Sequence, residues 1–175
     1  MKTKIQIKSI FGKFLFEFEK EDNTIKDTLI EAIKQRANLS GANLSGAYLS
    51  RANFSRAYLK KIYPYFQIVP EEGSFVGWKK GKGNHLIKLE IPAEAKRHNY
   101  IGGRKCRAEF VKVLDIRDSR GYKVKSCFNG THSDNILYEV GKIVKPDKYD
   151  PSPLNECSNG IHFFMTKQEA KDWGK

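Results

Sequence analysis

Residues 37–61 repeat with a period of five: Ala-Asn-Leu-Ser-Gly twice, then Ala-Tyr-Leu-Ser-Arg, Ala-Asn-Phe-Ser-Arg and Ala-Tyr-Leu-Lys-Lys. Alanine opens every unit, and Leu39, Leu44, Leu49, Phe54 and Leu59 stand two places later. Five matches neither the 3.6-residue period of a helix nor the two-residue period of a strand. It suits a coil that turns a corner every five residues, with both apolar positions pointing inward and the alanine leaving space for the larger side chain. Five units cannot bury their own ends, because repeat arrays need caps or neighbours. That requirement organises the rest of the chain.

The preceding segment supplies one cap. Ile5 and Ile7, then Phe14, Phe16 and Phe18, alternate with polar residues, which predicts two half-buried strands around a turn at Gly12. Thr24 with Asp27 forms an N-cap pattern, and Ile25, Leu29 and Ile33 recur at helical spacing, so a helix is expected to end near Gln35-Arg36. After the repeat, Pro64, Pro70 and Gly73 mark a hinge. We place a hairpin-helix cap and repeat coil at 1–66 and a β-rich α+β ligand-binding domain at 67–175. Tyr63, Tyr65 and Phe66 are expected to cover the open end of the coil.

The 175 residues carry 32 basic and 20 acidic side chains, a net charge of +12. No run approaches the roughly 18–20 apolar residues of a membrane helix. The early mixing of charged and apolar residues speaks against a signal peptide. Cys106, Cys127 and Cys157 are too few and too scattered for a disulfide framework. A cytoplasmic protein without membrane contact is expected. Residues 79–125 hold 14 basic and 5 acidic residues, whereas 126–175 are slightly acidic. A field of that sign attracts phosphates, nucleotides or nucleic acid. The basic stretch is patchy rather than a continuous stripe, which disfavours nucleic acid.

In the C-terminal part, strands are expected at Phe75–Lys80, Leu86–Ile91, Phe110–Ile116 and Gly160–Phe164, with a hairpin over Ile136–Val144 around Gly141. Thr166 and Glu169 form a capping box for a last helix ending at Trp173. Gly102-Gly103 opens onto Arg104, Lys105 and Arg107. Three cations beside a diglycine bend can approach a phosphate closely, and backbone N–H groups can help. Arg97 and His98 are expected nearby, and Trp78, Tyr100 or Phe163 offers a face on which a base could stack. The competing reading is that alternating strand residues simply face water. A zinc site would need about four ligands. Cys157 and His162 would point to opposite faces of one strand, so buried thiols and a satisfied core histidine fit better. No Walker loop or dinucleotide glycine fingerprint occurs.

The five-residue array resembles the pentapeptide-repeat family, which implies a short right-handed quadrilateral β-helix of about four units per turn. Some members of that family imitate DNA as long acidic rods. Here the outward positions include Arg51, Arg56, Lys60 and Lys61, so the sign is wrong, and the coil is expected to space or homo-oligomerise the rest. The chain also resembles phage and prophage pentapeptide-repeat proteins that share an uncharacterised C-terminal domain. The matching pieces are Gly77-Trp78-Lys79-Lys80, Ile91-Pro92-Ala93, Ala95-Lys96-Arg97, Gly103-Arg104-Lys105-Cys106-Arg107-Ala108, Tyr138-Glu139-Val140-Gly141, and Asn155-Glu156-Cys157 with Gly160-Ile161-His162-Phe163-Phe164. That resemblance implies a viral protein in a host cytoplasm. Gly160–Phe164, followed by Thr166, Ala170 and Trp173, resembles the pocket strand and following helix of ADP-ribosyltransferases, with Trp78-Lys79 in the place of their first strand. The glutamate of that family has no counterpart, since only 11 residues follow Phe164, and His162 replaces the usual tyrosine.

The expected ligand-binding set is Trp78, Lys79, Arg97, Arg104, Lys105, Arg107, His162 and Phe163, with no catalytic residue, metal or cofactor. The expected function is non-enzymatic: holding an anionic nucleotide-like small molecule, as a sponge that sequesters a host immune signal. The alternative is an NAD-using ADP-ribosyltransferase-like enzyme. A nucleic-acid-binding or oligomerising scaffold stands third.

Overall fold

The computed structural model describes residues 1–9, 11–39, 42–44, 63–130 and 136–174. Most of the five-residue repeat, with Arg51, Arg56, Lys60 and Lys61, lies outside the described residues, as does the side chain of Tyr65. The chain forms two compact units. One comprises Met1–Gln67, Ile101–Gly103 and Pro153–Glu156; the other comprises Ile68–Tyr100, Arg104–Ser152 and Cys157–Lys175.

In the first unit, β1 (Lys2–Lys8) and β2 (Phe14–Glu21) pair antiparallel. Gly12 turns the chain at φ +79°, and the Ser9 hydroxyl accepts from the N–H groups of Phe11 and Lys13. Helix α1 (Ile25–Lys34) starts at Thr24, whose hydroxyl accepts from the Asp27 N–H. Leu29, Ala32 and Ile33 pack with Ile7, Phe66, Ile101 and Leu154. Leu39 and Leu44 are buried in the same cluster, with Ala37 and Ala42 packed against it. Both apolar positions of these first repeat units therefore turn inward. Ala42 forms a bridge with Ser9, and Asn43 N–H donates to the Lys8 carbonyl.

The second unit is built on antiparallel strands: β3 (Phe75–Lys80), β4 (Leu86–Ile91), β5 (Arg97–Asn99), β6 (Cys106–Ala108), β7 (Val111–Arg117), β8 (Ser126–Phe128), β9 (Leu137–Glu139), β10 (Ile143–Val144) and β11 (Ile161–Phe163), followed by helix α2 (Lys167–Asp172). The unit is thus β-rich with few helices. One sheet runs β10-β7-β4-β3, a second runs β11-β6-β5, and β8 pairs with β9. Reciprocal backbone hydrogen bonds of 2.8 Å between Trp78 and Phe164 join the free edge of β3 to the chain just beyond β11. Ile87, Leu89, Ile91, Val111, Val113, Ile116, Ile161 and Phe163 form the core, as their alternation with polar residues requires. No helix among the described residues is long and apolar enough to cross a membrane.

The hairpin expected over Ile136–Val144 does not form. β9 pairs with β8, and β10 pairs with β7. Gly141, at φ +85°, donates its N–H to the Val113 carbonyl, so the chain leaving the turn runs onto β7. Alternation identifies strand residues but not the edge they find.

Gly77 lies where a Cβ would come within 2.9 Å of Ile91 Cδ1 and closer still to the Phe163 ring. Gly77→Ala is therefore expected to cost about 1–3 kcal/mol by overpacking, read as a lower urea midpoint. An unchanged midpoint would mean the Phe163 ring can move aside freely.

Candidate functional site

Because the end of β11 is bridged to β3 while the strand itself pairs with β6, residues of β3 and β11 and the residue leading into β6 meet at one concavity in the second unit. Lys79 comes from β3, His162 from β11 and Lys105 from the residue before β6. Asn129, the Pro146–Lys148 loop, the Cys157–Gly160 loop and Trp173 complete the walls. The hollow has a volume of about 440 Å³, within the range of small-ligand sites.

Lys79, Lys80, Lys105 and Lys148 line the hollow together with one carboxylate residue, Asp147. Lys79 Nζ donates to the His162 carbonyl at 3.2 Å and lies 5.7 Å from the centre of the Tyr138 ring. Lys105 is only 8% exposed. Its Nζ lies 3.1 Å from Cys157 Sγ and 4.4 Å from the centre of the Trp173 ring. Neither ammonium pairs with a carboxylate among the described residues. Burial, reinforced by the charge of Lys105, lowers the pKa of Lys79 to about 8. Burial and the charges of Lys105, Lys79 and Arg107 push His162 down to about 3, so the ring is neutral. Arg107 Nε donates to His162 Nε2 at 3.2 Å, which leaves the ring proton of His162 on Nδ1. Lys80 Nζ donates to the carbonyls of Trp173 and Lys171 and so holds the C-terminal end of α2.

The eight residues expected to bind ligand separate. Lys79, Lys105 and His162 line the hollow. Arg107 stands behind it, 2% exposed, held by Asp150 and His162. Arg104 turns away to pair with Glu169, which also closes the capping box with Thr166. Arg97 bonds the carbonyls of Pro70, Glu71, Gly73 and Ala93 and ties down the loop that precedes β3. Phe163 points into the core and is fully buried. Trp78 does not line the hollow; its ring lies between Lys88 and Lys167 and packs with Leu86 and Phe164. The diglycine bend belongs to the first unit, while Arg104–Ser152 belongs to the second.

The aromatic wall is Trp173 instead of Trp78, and Cys157 is exposed at the hollow instead of buried. Cys157 precedes β11 and is not part of it, so strand alternation does not separate it from His162, and both reach the same concavity. Cys106 and Cys127 are buried, and burial raises both thiols, Cys127 to about 11. Sequence reasoning had no signal for Asn129, Lys148 or Trp173. Each lies far along the chain from Lys79 and arrives only through strand pairing or helix packing. No group of three or more His, Cys, Asp or Glu suited to a metal ion occurs among the described residues. No glutamate lines the hollow among them, and a helix follows β11 directly.

A model described as a family of unknown function (DUF5758) matches residues 65–170, and one described as pentapeptide repeats (8 copies) matches residues 35–61. The second match implies a β-helix-like region there. Neither description mentions a phage origin or ADP-ribosyl transfer. No curated protein and no solved structure matches the chain.

Proposed function

The chain belongs to the family of unknown function DUF5758, and from that premise we propose that its hollow holds a phosphate-bearing, nucleotide-like small anion without converting it. The carrying observation is the pair of lysines, Lys79 and Lys105, that border one concavity with no carboxylate partner among the described residues. Two uncompensated ammoniums in a recess are costly in the free protein, and an entering anion relieves that cost. The Nδ1–H of His162 adds a neutral donor, and Trp173 an aromatic wall. A volume of about 440 Å³ accommodates a mononucleotide or a small dinucleotide fragment. Holding rather than turnover is supported by the groups themselves. Arg107 donates to the basic nitrogen of His162, so that nitrogen's lone pair is not free to act as a general base. A protein of this kind acts as a sink, lowering the free concentration of its ligand in proportion to its own amount.

Isothermal titration with ADP-ribose, NAD, ADP and cyclic dinucleotides tests the reading. At least one is expected to bind with an affinity that falls as salt rises. Lys79→Met combined with Lys105→Met should weaken it by about 100-fold, as expected from losing two charge-assisted contacts of about 1.5 kcal/mol each. Binding of none of these compounds, or equal binding by the double variant, would overturn it. So would preferential binding of duplex DNA or RNA with a steep salt slope.

A further inference from the structure

We propose that Lys79 is a reactive amine that captures the carbonyl carbon of an anionic aldehyde as a reversible imine, while Lys105 holds the negative group of the same molecule. This rests on the hollow being an anion site. The geometry has three parts. Lys79 is recessed yet borders the hollow, and its one hydrogen bond among the described contacts, to the His162 carbonyl at 3.2 Å, leaves the rest of the nitrogen's valence free. The groups acting on it are the Tyr138 ring, the Cys127 thiol, the neutral His162 and the Lys105 ammonium, while Asp147, the carboxylate residue of the hollow's lining, forms no ion pair with it. Lys105 is itself fixed in place by Cys157 and Trp173.

A lysine that is desolvated beside a second fixed cation is the arrangement that favours a neutral, nucleophilic amine. With its pKa lowered to about 8, close to half of Lys79 carries a lone pair at pH 8. The lone pair forms a C–N bond to the carbonyl carbon as the C=O π pair moves to oxygen. The two protons lost from nitrogen leave with that oxygen as water, giving a C=N bond and no net oxidation. The ligand class is a small phosphorylated aldehyde, which includes sugar phosphates with a free reducing end.

The probe is pyridoxal 5′-phosphate at limiting concentration, followed by borohydride reduction, peptide mapping and intact mass. Lys79 should be the dominant adduct, with ADP protecting it and with pyridoxal, which lacks the phosphate, labelling it far less. Its rate should level off above about pH 8–9, whereas exposed lysines continue to gain reactivity towards pH 10. Lys79→Arg should remove the dominant adduct; the protection and pH measurements on the unaltered protein do not depend on how that variant folds. Labelling spread over surface lysines, or a Lys79 rate that still climbs at pH 10, would overturn the capture. If ADP binds by calorimetry while Lys79 stays unlabelled, the capture fails and the anion site stands. If neither binds, both fail.

Discussion

Asp150→Ala is expected to cost about 3–5 kcal/mol of stability, the usual loss when one partner of a buried ion pair is removed. Arg107 Nη1 donates to the Asp150 carbonyl at 3.0 Å and lies 3.4 Å from Asp150 Oδ2. Burial lowers the Arg107 pKa, and Asp150 opposes that shift. An arginine nevertheless stays protonated in proteins, so removing the carboxylate strips an enclosed charge of this counter-ion. Urea unfolding by circular dichroism measures the loss. Arg107→Met placed on the Asp150→Ala background should recover much of it, because the uncompensated charge is then gone. A loss below about 1 kcal/mol for Asp150→Ala would show instead that the pair behaves like a solvated surface bridge.

The second large effect is acid sensitivity in a defined window. His98 and His162 flank Arg107 in register across the three-stranded sheet. Burial and the charge of Arg107 lower His98 to about 4, against opposition from Asp150 and a backbone hydrogen bond with Ser152. Tyr149 is held protonated by burial, and its hydroxyl is hydrogen-bonded with His98 Nδ1 at 2.7 Å. Both histidines are neutral when folded and free to protonate when unfolded. Their contribution is therefore complete above about pH 6.5 and is lost as pH falls towards 4. For His98 the difference amounts to about 3 kcal/mol, at 1.36 kcal/mol per pH unit. Stability measured between pH 7 and pH 5 should fall most steeply below pH 6.5. His98→Asn should flatten the profile, whatever it does to stability at pH 7. An unchanged slope in that variant would assign the acid sensitivity to other groups.

Local features were readable because they depend on a few consecutive residues. The turn at Gly12 needs one positive φ, the start of α1 needs the Thr24 hydroxyl, and the start of α2 needs Thr166 and Glu169 three residues apart. Leu39 and Leu44 are buried as a five-residue corner demands. The cationic stretch 79–125 contains Lys79 and Lys105, which border the hollow. Cations that look equivalent in the sequence then took different work. Arg104 found Glu169, 65 residues on, and Arg97 found the carbonyls of a loop about 25 residues earlier, while Lys105 was left facing the hollow.

Periodicity and capping pairs are properties of neighbours in the chain, so they were enough to place β1, β2, β3, β4, β7 and β11 and the helix starts, whereas the three-residue strands β5, β6 and β8 are too short to show a period. Which strand edge the segment after Gly141 would join, which tryptophan would wall the hollow and which lysines would form no ion pair among the described residues are matters of long-range pairing. The bridge between Trp78 and Phe164 ties the chain that leads into α2 to the edge of β3. Trp173 then stands 4.4 Å from Lys105 Nζ, while the Trp78 ring packs with Leu86 and Phe164, contacts between residues far apart in the chain that no local pattern encodes.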